Sequence, residues 1–465
     1  MSEQSLSRHL SPLHVWSLAF GCIIGWGAFM MPGTTFLPTA GTLGTTVAMV
    51  IGALVMLVIA FSYSYMVSRH PKAGGEFVFA RACFGRRHAF VCGWFLALAY
   101  LANVPMNCTA LGLMTRKLFF GVFQFGRLYQ VAGYDIWAGE ILLSLATLLV
   151  ITVLSVRGVR KSGVFQTIMA FGLATAFLII VVSALFSPVT SWSNLSPLWG
   201  PSATVGATPG AASAWRGILA IVAVAPWAYV GFETIPQAVE EFSFSIRKVN
   251  GIMIGAIAFG CVVYSCNNLV TAAASPDWQD FIARHDWAVG AAVEALMGKP
   301  GLVVLGIAIS CAILTGILGF LTATSRLLMS MAREGYIPGF FGKVSPRWRT
   351  PARAIVFCFA LSAVGPFFGR TALGWFVDMS AVGAAAGFAY ACAAALKTAL
   401  GDRGSAGSAA MTALSALGLV LSLCFVVLLL VPGLPGCLNA PAYAMLAVWV
   451  VTGLAFYLSR ARSIS

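Results

Sequence analysis

The sequence GCIIGWGAFMMP, at residues 21–32, decides how this chain folds, and it lies within the first long apolar segment. Its three glycines, Gly21, Gly25 and Gly27, weaken the helix, since each glycine costs about 1 kcal/mol of helix propensity relative to alanine. In hydrocarbon an unwound turn is tolerated only where it is buried in protein or lines a cavity. We therefore expect a helix that is broken between Ile24 and Gly27 to bind a solute. Glycines that let a second helix pack closely would produce the same pattern, so both interpretations stay open at this point.

The composition indicates a protein that crosses a membrane many times. Of the 465 residues, 60% are hydrophobic and 9% are charged, whereas a soluble protein carries about 25% charged residues. The formal net charge of +14 does not indicate a nucleic-acid partner, because membrane proteins concentrate Lys and Arg in their cytoplasmic loops. The 11 cysteines form no C-x-x-C pair and lie mostly in apolar segments, so we expect neither a disulfide framework nor a metal site.

Apolar stretches long enough to span a bilayer recur along the whole chain. A spanning helix needs about 20 apolar residues. Twelve such segments are predicted, at about 13–38, 41–67, 88–115, 136–156, 163–186, 215–239, 250–274, 301–331, 353–369, 372–398, 411–432 and 442–459. If the N-terminus is inside, most Lys and Arg residues fall in loops on the inner side. This bias predicts a multi-pass protein of the cell (inner or plasma) membrane with both termini cytoplasmic.

Two halves of similar length are predicted within the chain. Segments 1–5 occupy residues 13–186 and segments 6–10 occupy residues 215–399, and an uncharged stretch rich in Pro, Gly and Ser at 187–214 forms an external linker between them. Because each half has five helices, the second half starts on the opposite side of the membrane, which makes an inverted repeat. Such repeats place the substrate site near the midplane, at corresponding interrupted helices. Residues 1–12 form a cytoplasmic N-terminus, and 400–465 supply segments 11 and 12 with a short cytoplasmic C-terminus.

Segment 6 contains the interruption that this repeat requires. Its sequence, AIVAVAPWAYVGFETIPQAVEEF, includes Pro226 and Pro236, which remove backbone donors, and Gly231, which loosens the turn between them. An ordinary proline-kinked helix would have a similar sequence. The correspondence with the glycine-rich stretch of segment 1 favours a binding site formed by both segments.

The paired breaks suit a zwitterionic solute. The N–H groups of residues 25–27 would form the positive end of a half-helix, which favours a carboxylate. Carbonyl groups near Ile23, Trp227 and Val230 could accept hydrogen bonds from an ammonium group, and the rings of Trp227 and Tyr229 could cover it. The predicted substrate-binding residues are Ile23, Gly25, Trp26, Gly27, Asn107, Trp227, Tyr229, Val230 and Gly231.

Four motifs of this sequence resemble those of the amino acid–polyamine–organocation (APC) superfamily. They are GCIIGWGAFMMPG in segment 1, HPKAGGEFVFARACFG after segment 2, PWAYVGFETIPQAVEE in segment 6 and SRLLMSMAREGYIPGFFGKVSPRWRTP at residues 325–351. The resemblance implies an all-α integral membrane fold with twelve transmembrane helices. It further implies a LeuT-type five-plus-five inverted repeat with broken helices 1 and 6, plus two extra C-terminal helices. The function that it implies is a permease, not an enzyme, which transports amino acids or related amines without a cofactor.

The motif positions also imply roles for single residues. Ile23 and residues 25–27 match the family's backbone ligands on helix 1, and Trp227 matches the aromatic residue that lies over the substrate. Gly231 matches the glycine at the break of helix 6, and Glu233 matches the acidic or polar residue just beyond it. Two features depart from the family pattern. A tryptophan occupies the usually small position between the two glycines, and GVFQTIMAFGLATAF in segment 5 lacks the lysine found in some proton-coupled members.

Four acidic residues are candidates for coupling or gating. Glu233 is an intramembrane carboxylate and therefore a candidate proton carrier, although it could simply bond to the broken helix. Asp378 in segment 10 is a second candidate, and an outer vestibule is its alternative position. Glu240 and Glu241 end segment 6 on the inner side, where we expect them to pair with Arg247, Lys248 or loop arginines, or to form part of an inner gate.

The expected partners are a small-molecule substrate, H⁺ as the favoured coupling ion, and membrane lipids, with no nucleic acid. Proton-coupled symport or exchange of a neutral or cationic amino acid is the favoured mechanism, in a monomer or a homodimer. Sodium coupling is the alternative suggested by the hydroxyls of Thr322, Thr324 and Ser325, which more often bond to their own helix. A membrane sensor that binds without turnover, sodium-coupled transport of another small organic solute, and a lipid-modifying enzyme are further alternatives.

Overall fold

The structure is a computed structural model, and it describes a chain that is mostly α-helical. The described residues are 6–118, 121–131, 133–200, 211–402 and 407–459. The predicted cytoplasmic termini and the predicted linker at 187–214 therefore lie partly outside the described residues.

The helices are numbered in chain order. They are α1 (Pro12–Ile23), α2 (Gly27–Met31), α3 (Leu37–Arg69), α4 (Glu76–Phe84), α5 (Arg86–Leu118), α6 (Ala138–Val156), α7 (Val159–Phe186), α8 (Ala211–Ala223), α9 (Ala225–Ala228), α10 (Thr234–Gln237), α11 (Val249–Ala273), α12 (Trp278–Arg284), α13 (Ala288–Met297), α14 (Lys299–Arg333), α15 (Ala352–Ser362), α16 (Thr371–Gly401), α17 (Ser408–Leu430) and α18 (Ala440–Ser459). A π-helical turn, Pro32–Phe36, joins α2 to α3. Two strands, β1 (Arg127–Val131) and β2 (Tyr134–Trp137), form an antiparallel hairpin.

Nine helical stretches within the described residues are long and apolar enough to cross a membrane. The first of them, Pro12–Arg69, contains α1 to α3 and so combines the predicted segments 1 and 2. Predicted segments 6 and 9 fall on shorter apolar helices, Ala214–Ala223 and Ala352–Phe368. Both of these segments are shorter because their helices are interrupted, at α8–α10 and after α15. These lengths and compositions indicate a multi-pass membrane protein.

The hairpin β1–β2 is the element that an all-α prediction misses. Its strands have five and four residues, which is too short for a clear alternation of apolar and polar residues. The Tyr129 hydroxyl donates a hydrogen bond to the Phe367 carbonyl O at 2.8 Å. Hydrogen bonds from Gln130 and from Arg127 lower the pKa of the exposed Asp135 carboxyl. The hairpin, which lies between α5 and α6, is therefore bonded to the turn that follows α15.

The interrupted helices lie inside a frame of long helices. α1 packs against α7, α11 and α14, while α9 packs against α3 and α16, and α10 packs against α14 and α1. α5, α14 and the central part of α16 are largely buried, whereas α18 exposes most of its residues. The short helices at the two breaks are therefore surrounded by protein on several sides.

The start of α3 bends at a glycine that contacts the connection after α7. Gly41 has φ +74°, in the left-handed region that favours glycine. A β-carbon at this position would overlap the backbone of residues 198–200. The Leu43 N–H donates a hydrogen bond to the Leu198 carbonyl O at 2.9 Å. The bend thus fixes where this connection crosses α3.

Replacement of Gly41 by alanine should lower the thermal stability of the protein. The side chain would be strained at this φ and would displace the crossing backbone, a change that costs about 1–3 kcal/mol. Thermal unfolding in detergent, followed by tryptophan fluorescence, measures this loss. Gly374→Ala is the matched control, since a β-carbon there meets nothing within 4 Å. Equal unfolding temperatures for the two variants would contradict this account of the bend.

Candidate functional site

The first break separates α1 from α2. The helix ends at Ile23, and its C-cap residue Ile24 has φ −93° and ψ 84°, outside the helical region. The Gly25 N–H donates to the carbonyl O of Ile23, only two residues back, at 3.2 Å. The backbone N–H groups of Trp26 and Gly27 have no hydrogen-bond partner among the described residues. These two donors are therefore available to an acceptor that enters the break.

The second break separates α9 from α10. The chain between them forms a non-helical turn at residues 229–233. Gly231 has φ +145°, which an L-residue adopts only with strain. The Gly231 N–H donates to Oε2 of Glu233 at 2.8 Å, and the Thr234 hydroxyl donates to the Gly231 carbonyl O at 2.5 Å. The side chains of Glu233 and Thr234, at the end of the turn, therefore bond to the Gly231 backbone.

The two breaks contact each other through their glycines. A β-carbon at Gly231 would lie 2.7 Å from the backbone nitrogen of Ile23. A β-carbon at Gly27 would overlap the indole ring of Trp227. The rings of Trp26 and Trp227 have centroids 6.3 Å apart and planes inclined at 56°. The glycines therefore fit both interpretations of the sequence. They interrupt the helices, and they let the interrupted parts approach each other closely.

A cavity of about 660 Å³ opens from α2 to the protein surface. Trp26 lines it, so the ring between the two glycines contributes to the cavity wall. Its side chain is only 6% exposed, and its Nε1 atom is buried without a partner among the described residues. Other lining residues come from α5, α16 and the connection before α18; they include Ala110, Met114, Val377, Asp378 and Asn439.

Of the nine predicted substrate-binding residues, all of which the structure describes, Trp26 is the one that lines the cavity. Asn107 on α5 faces the first break: its Oδ1 atom lies 3.7 Å from the position of a β-carbon on Gly25 and is buried without a partner among the described residues. Tyr229 is directed away from the cavity, because its hydroxyl donates to the Met49 carbonyl O on α3 at 2.8 Å. The structure therefore brings Asn107 together with the first break, and it places the Tyr229 ring behind the second.

A comparison with protein families identifies the family of this chain. The sequence profile described as "amino acid permease" matches residues 10–456. The chain belongs to the amino acid permease family. This permease is a multi-pass membrane transporter and not an enzyme, as the resemblance of its motifs to the APC superfamily implied.

Three relatives indicate the range of the family. The methylthioribose transporter of Bacillus subtilis (strain 168) is 27% identical over 361 residues, which cover 76% of this chain and 73% of the relative. The branched-chain amino acid permease BcaP of the same organism is 24% identical over 367 residues, with 78% and 75% coverage. The vacuolar cationic amino acid transporter 4 of Arabidopsis thaliana is 27% identical over 368 residues, with 78% and 59% coverage.

A buried ion pair of the permease joins the chain after α10 to α14. The Arg326 side chain on α14 donates from Nε to Oε1 of Glu241 at 2.9 Å, and the two side chains are 3% and 0% exposed. The chain just before α1 is bonded to the backbone of the same glutamate, since the Leu10 N–H donates to the Glu241 carbonyl O at 2.9 Å. Glu240 lies 3.5 Å from a nitrogen of Arg333 in a half-exposed pair.

Glu240 and Glu241 were expected to pair with Arg247, Lys248 or loop arginines. Glu240 does lie beside Arg333, which follows predicted segment 8, whereas Glu241 pairs with Arg326 inside the helix. After α10 the chain turns beside α14, which brings the Glu241 carboxylate to an arginine inside that helix. The sequence separation of 85 residues explains why the local pattern of charges could not identify this partner.

Two further buried polar residues of the permease were not singled out from the sequence. Gln166 on α7 donates from Nε2 to the Ser17 carbonyl O on α1 at 3.3 Å and to the Thr315 carbonyl O on α14 at 3.2 Å. It lies in the stretch noted for its missing lysine, which was the available signal. A neutral amide therefore joins α1 to α14 at this point.

Glu76 is the second of these buried polar residues. It lies at the start of α4, between two spanning segments. Its carboxylate accepts hydrogen bonds from the Tyr63 hydroxyl at 2.6 Å and from Gln237 Nε2 at 2.9 Å. Burial raises the pKa of Glu76 to about 7, and the hydrogen bonds from Tyr63 and Gln237 oppose that rise. Its position inside the KAGGEFVFARACFG motif was the signal in the sequence.

Adjacent glutamates provide a direct test of the buried ion pair. Glu241→Ala should destabilise the permease by about 3–5 kcal/mol, because it leaves the Arg326 charge buried without its partner. Glu240→Ala removes a partly exposed pair, which contributes only about 0–1 kcal/mol, and a hydrogen bond from the Ala73 N–H, worth about 0.5–1.5 kcal/mol. Thermal unfolding of both variants in the same detergent gives the comparison. Similar unfolding temperatures for the two variants would show that the Glu241 pair does not stabilise the permease as proposed.

Proposed function

We propose that this permease is a secondary active transporter that moves amino acids or related amines across the cell membrane by alternating access. The observation that carries the proposal is the meeting of two interrupted helices beside a cavity, with the N–H groups of Trp26 and Gly27 unbonded. Transporters place substrate sites at such discontinuous helices near the membrane midplane. The positive end of a half-helix attracts the carboxylate of an amino acid.

The proposed architecture has twelve spanning helices in a LeuT-type arrangement. Residues 13–186 and 215–399 form two inverted five-helix repeats, and 187–214 form the external linker. Residues 1–12 are the cytoplasmic N-terminus, and 400–465 supply two extra helices and a cytoplasmic C-terminus. The breaks at α1–α2 and α9–α10 support this assignment, because they fall at the first helix of each repeat.

In the proposed binding mode, the backbone recognises the part common to all amino acids. The carboxylate accepts from the Trp26 and Gly27 N–H groups. The ammonium group donates to Oδ1 of Asn107 and to carbonyl groups near Ile23 and Val230. Buried polar atoms are normally paired, so the unpartnered Oδ1 of Asn107 supports its place here. Trp227 and Tyr229 support the site from the side of the second break.

The proposed state is open to the outside and closed to the cytoplasm. The cavity gives access from one face, where the exposed Lys117 and Asp286 line its mouth. The buried pair of Glu241 and Arg326 lies at the other end, with Glu240 beside it, and these glutamates act as an inner gate. Rocking of the helices that carry the breaks would then exchange the open and closed ends.

Uptake into proteoliposomes tests the transport proposal. The names of the relatives suggest three labelled probes: leucine, lysine and methylthioribose. We expect accumulation of at least one amino acid, with competition by its unlabelled form. Accumulation of methylthioribose alone would contradict the amino acid assignment. Thermal stabilisation by an amino acid without any flux would instead identify a sensor.

The indole N–H of Trp26 should contribute to substrate affinity. Trp26→Phe keeps an aromatic ring on the cavity wall but removes the buried Nε1 donor, which has no partner among the described residues. A lost hydrogen bond is worth about 0.5–1.5 kcal/mol, so the KM of the transported amino acid should rise about 2- to 10-fold. Trp16→Phe is the matched control, since that ring stacks on Phe20 within α1. An unchanged KM in Trp26→Phe would remove the indole N–H from the site.

Glu233 is the residue that we propose for proton coupling. It is fully buried at the second break, and its Oε1 atom has no partner among the described residues. The titratable groups that interact with it electrostatically are Cys22 on α1, Tyr63 on α3, Tyr100 on α5 and the carboxyl of Glu76. A carboxyl in this position can carry a proton between the two faces of the transporter. Asp378, on the cavity wall, remains a second candidate.

A pH series with two glutamate variants tests Glu233 as the proton carrier. Proton symport predicts that uptake rises as the external pH falls, and Glu233→Gln should abolish this dependence. Glu76→Gln is the control, because the Glu76 carboxyl, with its pKa of about 7, loses its proton over the same pH range. Retained pH dependence in Glu233→Gln would exclude Glu233 as the carrier. Loss of wild-type uptake when Na⁺ is replaced by choline would favour sodium coupling.

A further inference from the structure

A second large cavity lies on the membrane-facing side of the protein, between the first half of α5 and the last half of α18. This groove has a volume of about 670 Å³. The residues that form it include Arg87, Phe90, Trp94, Val450, Leu454 and Tyr457. None of these residues lines the solute cavity beside α2. The groove is therefore a separate feature that the transport site does not explain.

Stacked aromatic rings form the floor of the groove. The rings of Phe90 and Trp94 stack with centroids 5.7 Å apart, and Trp94 stacks on Trp449 at 4.7 Å. Each indole N–H of the two tryptophans donates to the backbone carbonyl O of the other, at 3.1 Å and 3.2 Å. These reciprocal bonds satisfy both donors and fix the rings. The groove is therefore a rigid, preformed apolar surface rather than a gap between loosely packed helices.

One positive charge lies at an end of this apolar surface. Arg87 is in the first turn of α5, it is exposed, and it has no ion pair among the described residues. Tyr457, whose ring lies 5.3 Å from that of Phe90, contributes an amphipathic side chain to the groove. Aromatic residues of this kind and arginines at helix ends are typical of the interface between hydrocarbon and water. The groove thus combines an apolar length with a basic end at headgroup depth.

We propose that this groove binds an anionic phospholipid, with an acyl chain along the aromatic floor and the headgroup phosphate on Arg87. Basic pockets between transmembrane helices at a membrane surface are suited to anionic lipid headgroups. The groove opens toward the bilayer, since Val450 and Leu454 on its wall are 45% and 56% exposed. The molecules available at this depth are lipids, and a zwitterionic lipid would leave the charge of Arg87 without a net anionic partner.

Lipid titration followed by native mass spectrometry tests the proposal on the full-length protein in detergent. Phosphatidylglycerol should bind with higher occupancy than phosphatidylcholine of the same chain length. Arg87→Gln should weaken phosphatidylglycerol binding about 5-fold, as expected for the loss of one arginine at the membrane surface, and should remove the preference over phosphatidylcholine. Arg157→Gln is the matched control, because it removes another exposed arginine, outside the groove. Equal effects of the two variants would overturn the assignment to Arg87.

A second pair of variants tests the apolar part of the groove. Val450→Trp should fill the groove and lower the occupancy of both lipids. Val451→Trp places the same ring on the neighbouring residue, which is 65% exposed and outside the groove, and should leave binding unchanged. Equal binding of phosphatidylglycerol by these two variants would contradict the proposal. Because binding is measured without transport, the result is independent of whether the amino acid uptake experiments succeed.

Discussion

The whole structure depends on how backbone groups are satisfied where two helices are interrupted inside an apolar core. An unpaired peptide group in hydrocarbon costs several kcal/mol, so a break persists only where other groups replace the lost helical bonds. Here the Tyr264 hydroxyl donates to the Ile23 carbonyl O at 3.2 Å, and the Thr315 hydroxyl oxygen lies 3.2 Å from the Gly21 carbonyl O. The Gly231 N–H is satisfied by Glu233. The N–H groups of Trp26 and Gly27 are exceptions among the described residues, which is why the proposed carboxylate site lies at the first break.

The groups that satisfy the breaks come from different neighbouring helices. α1 is bonded to α7 and α14 through Gln166. α2 is bonded to α11, because Asn267 Nδ2 donates to the Ala28 carbonyl O at 3.0 Å, and to the chain before α13, because Trp287 Nε1 donates to the Phe29 carbonyl O at 3.0 Å. The two halves of the interrupted helix are therefore held by separate sets of contacts. A motion that rearranges one set and keeps the other would tilt α1 relative to α2 at the non-helical residues between them.

What the sequence could predict follows from the range over which each interaction acts. Glycine and proline act on their own backbone, so the interruptions near Gly25 and Gly231 were evident as local patterns, and the apolar segments followed from length and hydropathy. The partner of Glu241 is 85 residues away, and Gln166 and Glu76 bond to groups on other helices, so their roles depended on packing that no local pattern records. The short hairpin formed by β1 and β2 was missed although its pattern is local. Its strands of five and four residues are too short to show a clear alternation of apolar and polar residues.

Trp26 contributes to the structure both through its backbone and through its side chain. Its backbone belongs to the break, where the chain conformation alone presents an N–H group, so substitution of the side chain by a residue that keeps the same φ and ψ leaves that donor in place. Its ring belongs to the cavity, next to side chains of α5 and α16, and lies beside Trp227 on the second break. In the proposed binding mode, the backbone of this residue recognises the carboxylate common to all amino acids, and its indole lies on the cavity wall.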